Sequence, residues 1–263
     1  IKNLEFNNIE SKEKIDVTYP GKKTQKGHLH PLTQVRYEIE EIFKSMGFLT
    51  VEDREVEDEF HNFDALNIPK NHPARDMQDT FWLKDGNVPR THTSSVQIRF
   101  MEKNKPPFKI VSFGRVYRNE ASDATHDFNF NQVECLIVDK SGKITVVNSK
   151  SIMSEFIKGL FGKETKIRLR PSYFPFVEPG FELDASCPYC EGKGCRICKG
   201  TGWIELGGSG MVNQNVFKSV GFKEDKYEGF ALGFGIERIA MIKYGINDTR
   251  LFYSGDLRFL EQF

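Results

Sequence analysis

Apolar residues recur at steps of three and four from Pro31 onward: Leu32, Val35, Ile39, Ile42, Phe43 and Met46. That spacing puts them on one face of a helix, with Pro31 suited to its first turn and Gly47 to its C-terminal cap. The next run, Phe48 to Val56, reads as a strand, and His61 to Asp79, rich in Asn, Asp and Pro, reads as a loop. Two strand-like runs, Ile110 to Arg118 and Phe128 to Val138, flank a polar loop, Asn119 to Asp127. A period of two places Phe130, Gln132 and Glu134 on a common face of the second run. A helix is expected from Val147 to Phe161, with Ile152, Phe156 and Leu160 on one stripe. Strands are expected at Lys166 to Arg170, Tyr173 to Leu183, Trp203 to Leu206 and Gly229 to Phe234. A last helix, Gly235 to Tyr244, should stop at Gly245. Strands joined by hairpin-length loops, with helices at the two ends, predict an α+β fold around a mixed, mainly antiparallel sheet. Residues 1–27 lack a sustained apolar period and read as a leader, which leaves 28–263 as the folded domain.

Composition narrows the function classes. The chain has 263 residues, 38% of them hydrophobic, the size of one large domain or two small ones. With 37 basic and 37 acidic side chains it lacks the surplus of Lys and Arg that an arm-type nucleic-acid binder needs. No apolar run approaches the ~20 residues of a membrane span. The first residues carry no signal-peptide core, so a cytoplasmic protein is expected. Twenty-three Phe among the aromatic residues suffice for both a core and a pocket.

Three segments could carry chemistry. Gly114-Arg115-Val116-Tyr117-Arg118-Asn119-Glu120, a polar loop and Phe128-Asn129-Phe130-Asn131-Gln132-Val133-Glu134 would form a hairpin. Its guanidinium can clamp a phosphate, its aromatic face can stack a purine, and its carboxylate can hold an ammonium. Taken alone, such a hairpin is equally an ordinary solvated polar face. Gly229-Phe230-Ala231-Leu232-Gly233-Phe234-Gly235-Ile236-Glu237-Arg238 leaves a strand with little bulk, where a ligand can lie against backbone, and puts Arg238 in the first turn of a helix. The glycine spacing is not that of a dinucleotide-binding turn. In Tyr173-Phe174-Pro175-Phe176-Val177-Glu178-Pro179 alternation places Ser172, Phe174, Phe176 and Glu178 on one face, either as core or as an aromatic slot ending in a charge.

Four of the five cysteines fall within twelve residues, in two back-to-back copies of C-x-x-C-x-G-x-G: Cys187, Cys190, Cys195 and Cys198. Four thiolates are the complement of a closed structural Zn²⁺ site, and so many crowded thiols point to a reducing compartment. The alternative is a reduced, metal-free hairpin tip. Cys135, on a strand, reads as a small core residue.

In this order, the three segments resemble the motif 1, 2 and 3 layout of a class II aminoacyl-tRNA synthetase. The resemblance narrows further on His30-Pro31-Leu32-Thr33-Gln34, Asn62-Phe63-Asp64-Ala65-Leu66-Asn67, His72-Pro73-Ala74-Arg75-Asp76 and Arg90-Thr91-His92-Thr93-Ser94. With Arg170-Pro171-Ser172-Tyr173-Phe174-Pro175-Phe176 and Tyr244-Gly245-Ile246-Asn247-Asp248, these look like the bacterial phenylalanyl-tRNA synthetase α-subunit family, from about Asp16 to Phe263. The resemblance implies a class II synthetase catalytic domain at 28–263 with a Cys-rich insert at 187–202. It also implies ATP-dependent activation of L-phenylalanine and transfer to tRNA(Phe), by an α2β2 enzyme with a β-subunit partner. By the resemblance, the segment before Asp16 is expected to be only the exit of the family's N-terminal coiled-coil arm, with 1–27 as its remnant, and the lack of a C-terminal anticodon domain implies the bacterial cytoplasmic type.

Residue by residue, the resemblance assigns Arg118 and Arg238 to the ATP phosphates, as the catalytic pair. It adds Glu120 and His126 to the nucleotide site and stacks adenine on Phe130. His92, Ser94, Gln97, Gln132 and Glu134 match positions that grip the amino and carboxyl groups of phenylalanine. Phe174 and Phe176 match the pair that sandwiches its ring, with Val177, Ala231 and Gly233 shaping the pocket. Glu178 matches a Mg²⁺ ligand shared with the partner subunit. The chain departs from many relatives at Asn131 (for His), Cys135 (for Gly), Asn213-Gln214 (for His-Pro) and Leu232 (for Phe). Two other readings stay open: a paralogue adenylating an amino acid for a non-tRNA acceptor, and a non-catalytic regulator or zinc-binding module. Retention of Arg118, Glu120 and Arg238 together favours an enzyme.

Overall fold

The helical stripe after Pro31 folds as α1 (Pro31–Ser45), with the His30 ring accepting a hydrogen bond from the Leu32 N–H and Gly47 in a left-handed conformation past its end. The computed structural model describes residues 18, 20, 21, 27–72 and 80–263. Nearly all of the expected leader, 1–27, and most of the His72–Asp76 motif lie outside them.

A seven-stranded sheet organises the chain. In sequence its strands are β1 (Leu49–Val51), β4 (Phe108–Tyr117), β5 (Asn129–Lys140), β6 (Ile167–Phe174), β7 (Val177–Ser186), β8 (Trp203–Val212) and β9 (Tyr227–Gly235). In space they run β1-β4-β5-β9-β8-β7-β6, with β1 parallel to β4 and every other pair antiparallel. Two short strands, β2 (Val56–Glu57) and β3 (Val88–Pro89), pair separately. Among the described residues the remaining helices are α2 (Glu59–Asn62), α3 (Ser94–Lys103), α4 (Val146–Phe161), α5 (Gln214–Ser219), α6 (Ile236–Tyr244) and α7 (Leu257–Leu260). The α+β expectation holds, as does the Cys-rich hairpin, which joins β7 to β8.

Both faces of the sheet are covered, which explains why β5 alternates between two cores. Val133, Cys135 and Ile137 of β5 pack with α1, α4 and α6 through Val35, Ile39, Phe156 and Ile239. Leu136 and Val138, on the other face, pack with Ile98 and Met101 of α3 and Val216 and Phe217 of α5. Cys135 is buried in the first core, as expected of a small apolar residue.

Three sequence expectations need correction. The run Phe48 to Val56 is two strands in different sheets. The chain bends at 52–55, where the buried Arg90 side chain donates to the Asp53 and Arg54 carbonyls and its N–H to that of Glu55. The segment His61 to Asp79 contains the end of α2 and a 3₁₀ turn, Asp64–Leu66. Tyr173 to Leu183 is a hairpin, with Pro175 and Phe176 forming its turn between β6 and β7. Proline lacks the N–H that a continuous ladder would need, so the turn falls there.

Candidate active site

The face of β5 that carries Leu136 and Val138 changes character toward its N-terminal end. There the same alternation presents Glu134, Gln132 and Phe130, which line a cavity of about 490 Å³. The neighbouring strand leaves room for it. Gly233 lies opposite Glu134, and Gly235 opposite Gln132. A Cβ on Gly233 would sit 2.8 Å from the Glu134 Cγ, so the carboxylate side chain occupies the space a larger residue would fill. One strand further, Gly208 pairs with Gly233, and a Cβ there would approach the Phe174 ring to 2.9 Å. A floor of glycines therefore lets side chains from above lie against the sheet. The run Gly207-Gly208-Ser209-Gly210 signals this in the sequence as clearly as the glycines of β9 do, although only the latter were singled out.

Glu134 is buried, and its Oε2 accepts hydrogen bonds of 2.7 Å from both the Ser94 hydroxyl and the Gln97 amide. Burial pushes its carboxyl up to about 7, against the opposing pull of the Ser94 donor. Ser94 and Gln97 come from α3, and the Gln132 side-chain oxygen accepts from the Thr93 N–H just before it. His92 is buried beside them, and neither ring nitrogen has a hydrogen-bond partner among the described residues. Burial, reinforced by the Arg118 charge, pushes the imidazole down to about 3, so it is neutral.

Phe174 and Phe176 stack with centroids 5.9 Å apart and planes 25° apart, and His92 lies 6.4 Å from Phe176. The pair forms across the β6–β7 turn, a geometry that replaces the expected alternation along one strand. Glu178 consequently faces a second cleft, of about 350 Å³, where its carboxylate accepts from Asn213 and Glu228 is a neighbour. Val177 and Ala231 line the main cavity with Leu66, Met101, Val212 and Val216, which close it where it meets the second core. In the sequence nothing separates those four aliphatic residues from other core positions.

At the other side of the cavity the Arg118 guanidinium lies 5.1 Å from the Phe130 ring centroid and 3.9 Å from the Glu120 carboxylate. Arg238, exposed in the first turn of α6, donates to the Glu205 carbonyl at 3.5 Å and does not line the cavity. His126 is exposed in the loop before β5, its ring held by Asp123, and also stands outside the lining. The structure thus brings together every expected phenylalanine-site residue with Arg118, Glu120 and Phe130, and sets Arg238, His126 and Glu178 apart.

The four insert cysteines converge. Their sulfurs lie within 4.8 Å of one another, with Cys187–Cys195 and Cys195–Cys198 at 3.7 Å and Cys190–Cys198 at 3.8 Å. A tetrahedron of Zn–S bonds of about 2.3 Å has edges of about 3.8 Å, so the cluster fits a metal of that size. Each C-x-x-C-x-G-x-G copy turns through the same sequence of left-handed residues, Glu191-Gly192 and Gly194 in one, Lys199-Gly200 and Gly202 in the other. A Cβ on Gly202 would meet the Gly192 carbonyl at 2.2 Å, which explains the glycine there. The Glu57–Asp58–His61 group is also close-set, but Arg99 already pairs with both carboxylates.

Comparison with known proteins agrees with this geometry. Residues 14–263 match the family described as tRNA synthetases class II core domain (F). A Bacillus mycoides protein named phenylalanine–tRNA ligase alpha subunit is 53% identical over 268 residues, spanning 100% of this chain and 77% of its own length. Its namesake from Caldicellulosiruptor saccharolyticus is 55% identical over 252 residues, 96% of this chain and 74% of its own. Among solved structures, a pyrrolysyl-tRNA synthetase from Desulfitobacterium hafniense shares the fold, with a TM-score of 0.63 at 16% identity over 85% of this chain and 73% of that one. No helix among the described residues is long and apolar enough to cross a membrane. A cavity that pairs an acidic anchor with stacked rings, on this sheet and with these relatives, has one family home: the chain belongs to the phenylalanine–tRNA ligase alpha subunits, on the class II tRNA synthetase core.

Proposed function

We propose that the chain activates L-phenylalanine with ATP to phenylalanyl-adenylate and passes the acyl group to tRNA(Phe), as the catalytic α subunit of a cytoplasmic α2β2 enzyme. The observation that carries this reading is one cavity holding a buried carboxylate, a stacked phenylalanine pair and an arginine over an aromatic face. In this reading residues 28–263 are the catalytic domain, with the Cys-rich insert at 187–202, and 1–27 are a leader.

Glu134 takes the substrate ammonium, with Ser94 and Gln97 fixing its orientation. His92 and Gln132 receive the carboxylate side of the amino acid. Phe174 and Phe176 hold the benzyl ring over the glycine floor, and Val177, Ala231 and Gly233 shape its slot. The aliphatic end formed by Leu66, Met101, Val212 and Val216 offers no partner to a para-hydroxyl, so tyrosine would bury one unsatisfied. Phe130 stacks the adenine, and Arg118, Glu120, His126 and Arg238 form the rest of the nucleotide site. The reaction is an in-line attack of the amino-acid carboxylate on the α-phosphate. No protein nucleophile is required, and the chain supplies alignment and positive charge. Glu178, in a cleft it shares with Glu228, suits Mg²⁺, which keeps most of its water shell; the β subunit would share that ion. When bound, Mg²⁺ neutralises phosphate charge.

The thiolate cluster is assigned to structural Zn²⁺, since all four ligand positions are protein sulfur. Purified protein should carry one zinc per chain by plasma mass spectrometry. Cys190→Ser should lose that zinc and melt several degrees lower, because metal binding here is folding free energy. Full zinc retention or an unchanged melting temperature in the variant would contradict the assignment. ATP–pyrophosphate exchange across the twenty amino acids, with the β subunit supplied, tests the function itself. Exchange should depend on phenylalanine; exchange with another amino acid alone, or none at all, would overturn the reading.

A further inference from the structure

Next to Arg238, Glu237 is a buried carboxylate that the adenylation chemistry above leaves without a task. Its Oε1 accepts three hydrogen bonds: from the Asn131 N–H and the Asn131 side-chain amide, each at 2.8 Å, and from the Tyr253 hydroxyl. Its Oε2 has no hydrogen-bond partner among the described residues. The three donors come from two separate stretches of chain. Asn131 directly follows Phe130 on β5, and the Phe130 ring in turn carries the Arg118 guanidinium. Tyr253 ends the 3₁₀ turn Thr249–Tyr253, whose first N–H donates to the Ala124 carbonyl at 2.9 Å, within the loop that carries Glu120 and His126. Glu237 itself sits in the first turn of α6, where a carboxylate is favoured by the unpaired N–H groups of the helix start.

We infer that Glu237 is a positioning residue for the nucleotide site: it ties the strand bearing Phe130 to the helix turn bearing Arg238. One carboxylate oxygen thereby fixes the spacing between the adenine stack and the second phosphate arginine. A neutral side chain unable to accept three donors would leave Asn131 and Tyr253 unsatisfied and free that turn to shift. Asn131 suits the arrangement because it offers a main-chain and a side-chain donor to the same oxygen. The inference rests on the nucleotide-site reading and concerns ATP alone, since among the described residues the hydrogen bonds to Glu237 come from Asn131 and Tyr253 and from none of the phenylalanine-site residues.

The test uses the complete α–β enzyme in pyrophosphate exchange and compares Glu237→Ala, Glu237→Gln and Tyr253→Phe. Glu237→Ala should raise the KM for ATP by on the order of tenfold and leave the KM for phenylalanine within about twofold, because misplacing a binding group by a fraction of an ångström costs the ligand it serves. Glu237→Gln keeps an amide oxygen able to accept the same donors and should restore most of the ATP KM. Tyr253→Phe removes one donor at the protein surface, and should shift the ATP KM in the same direction by less. It keeps the inference open to refutation should the alanine variant fail to fold. An ATP KM unchanged in Tyr253→Phe and Glu237→Ala would overturn it, as would an equal rise in both substrates' KM values. Wild-type exchange driven by an amino acid other than phenylalanine would sink the substrate reading while leaving this link to ATP standing.

Discussion

Replacing Glu134 with Gln is expected to raise the KM for phenylalanine by about a hundredfold or more while making the protein more heat-stable at pH 8. The loss follows from removing a buried partner of the substrate ammonium, a change that typically costs about 2–5 kcal/mol. The gain in stability has the opposite origin. Burial holds the Glu134 carboxyl at about 7, above its ordinary value, so the folded protein binds more protons here than the unfolded chain does. Stability tied to this group is fully present below the ordinary carboxylate pKa and is lost as pH rises through about 7. A Gln cannot ionise and escapes that loss, so the difference in melting temperature should shrink as pH falls toward 5. The same titration predicts how the wild type handles phenylalanine. Its KM should rise as pH drops below about 7, since a protonated Glu134 cannot attract the ammonium. A variant with wild-type KM, or a wild-type KM flat from pH 8 to 6, would remove Glu134 from the amino-acid site.

Arg118→Ala should slow adenylate formation by about 10²–10³ in kcat, the size of effect seen when one preorganised charge donor is deleted from a site where charge develops. The guanidinium is half-buried against Phe130, where its charge is poorly screened and its plane is held by the ring. Its ion-pair partner is Glu120, at 3.9 Å, and it also attracts the buried Glu134; it lies on the cavity wall and in neither core, so the fold should survive its deletion. Arg118→Lys should recover little, because an ammonium cannot present the same planar fork to two phosphate oxygens. Single-turnover formation of labelled adenylate measures this step apart from product release. A variant within fivefold of wild type would place the phosphate contact elsewhere.

Much of the site was legible because β5 obeys a period of two. Phe130, Gln132 and Glu134 share a face in the sequence and share a cavity in the structure. The glycines of β9 were legible for the same reason: every second position lacks bulk while Phe230, Leu232 and Phe234 pack into the opposite core. Periodicity failed where the environment breaks it. Helix α3 escapes the periodicity because its polar Ser94, Ser95 and Gln97 are buried along with Val96 and Ile98, so polarity does not mark its exposed side. The hairpin through Pro175 was read as one strand because alternation continues across its turn. The rings still meet, by stacking over the turn, but Glu178 is carried to another cleft. Glu237 was passed over because its partners, Asn131 and Tyr253, are 106 and 16 residues away. Alternation puts Glu178 at the end of the aromatic slot, and the turn at Pro175 breaks that link; Arg238 falls in the first turn of α6 as expected but outside the cavity lining, and His126 is tied to the site by the family resemblance.

A crystal structure of the α–β enzyme with a non-hydrolysable phenylalanyl-adenylate analogue would test the whole arrangement at once. The benzyl ring should lie against Phe174 and Phe176 above Gly208, the ammonium within hydrogen-bond reach of Glu134, and the adenine on Phe130 beside Arg118. An analogue bound outside this cavity, or seated with its adenine in the slot of the two phenylalanines, would contradict the account.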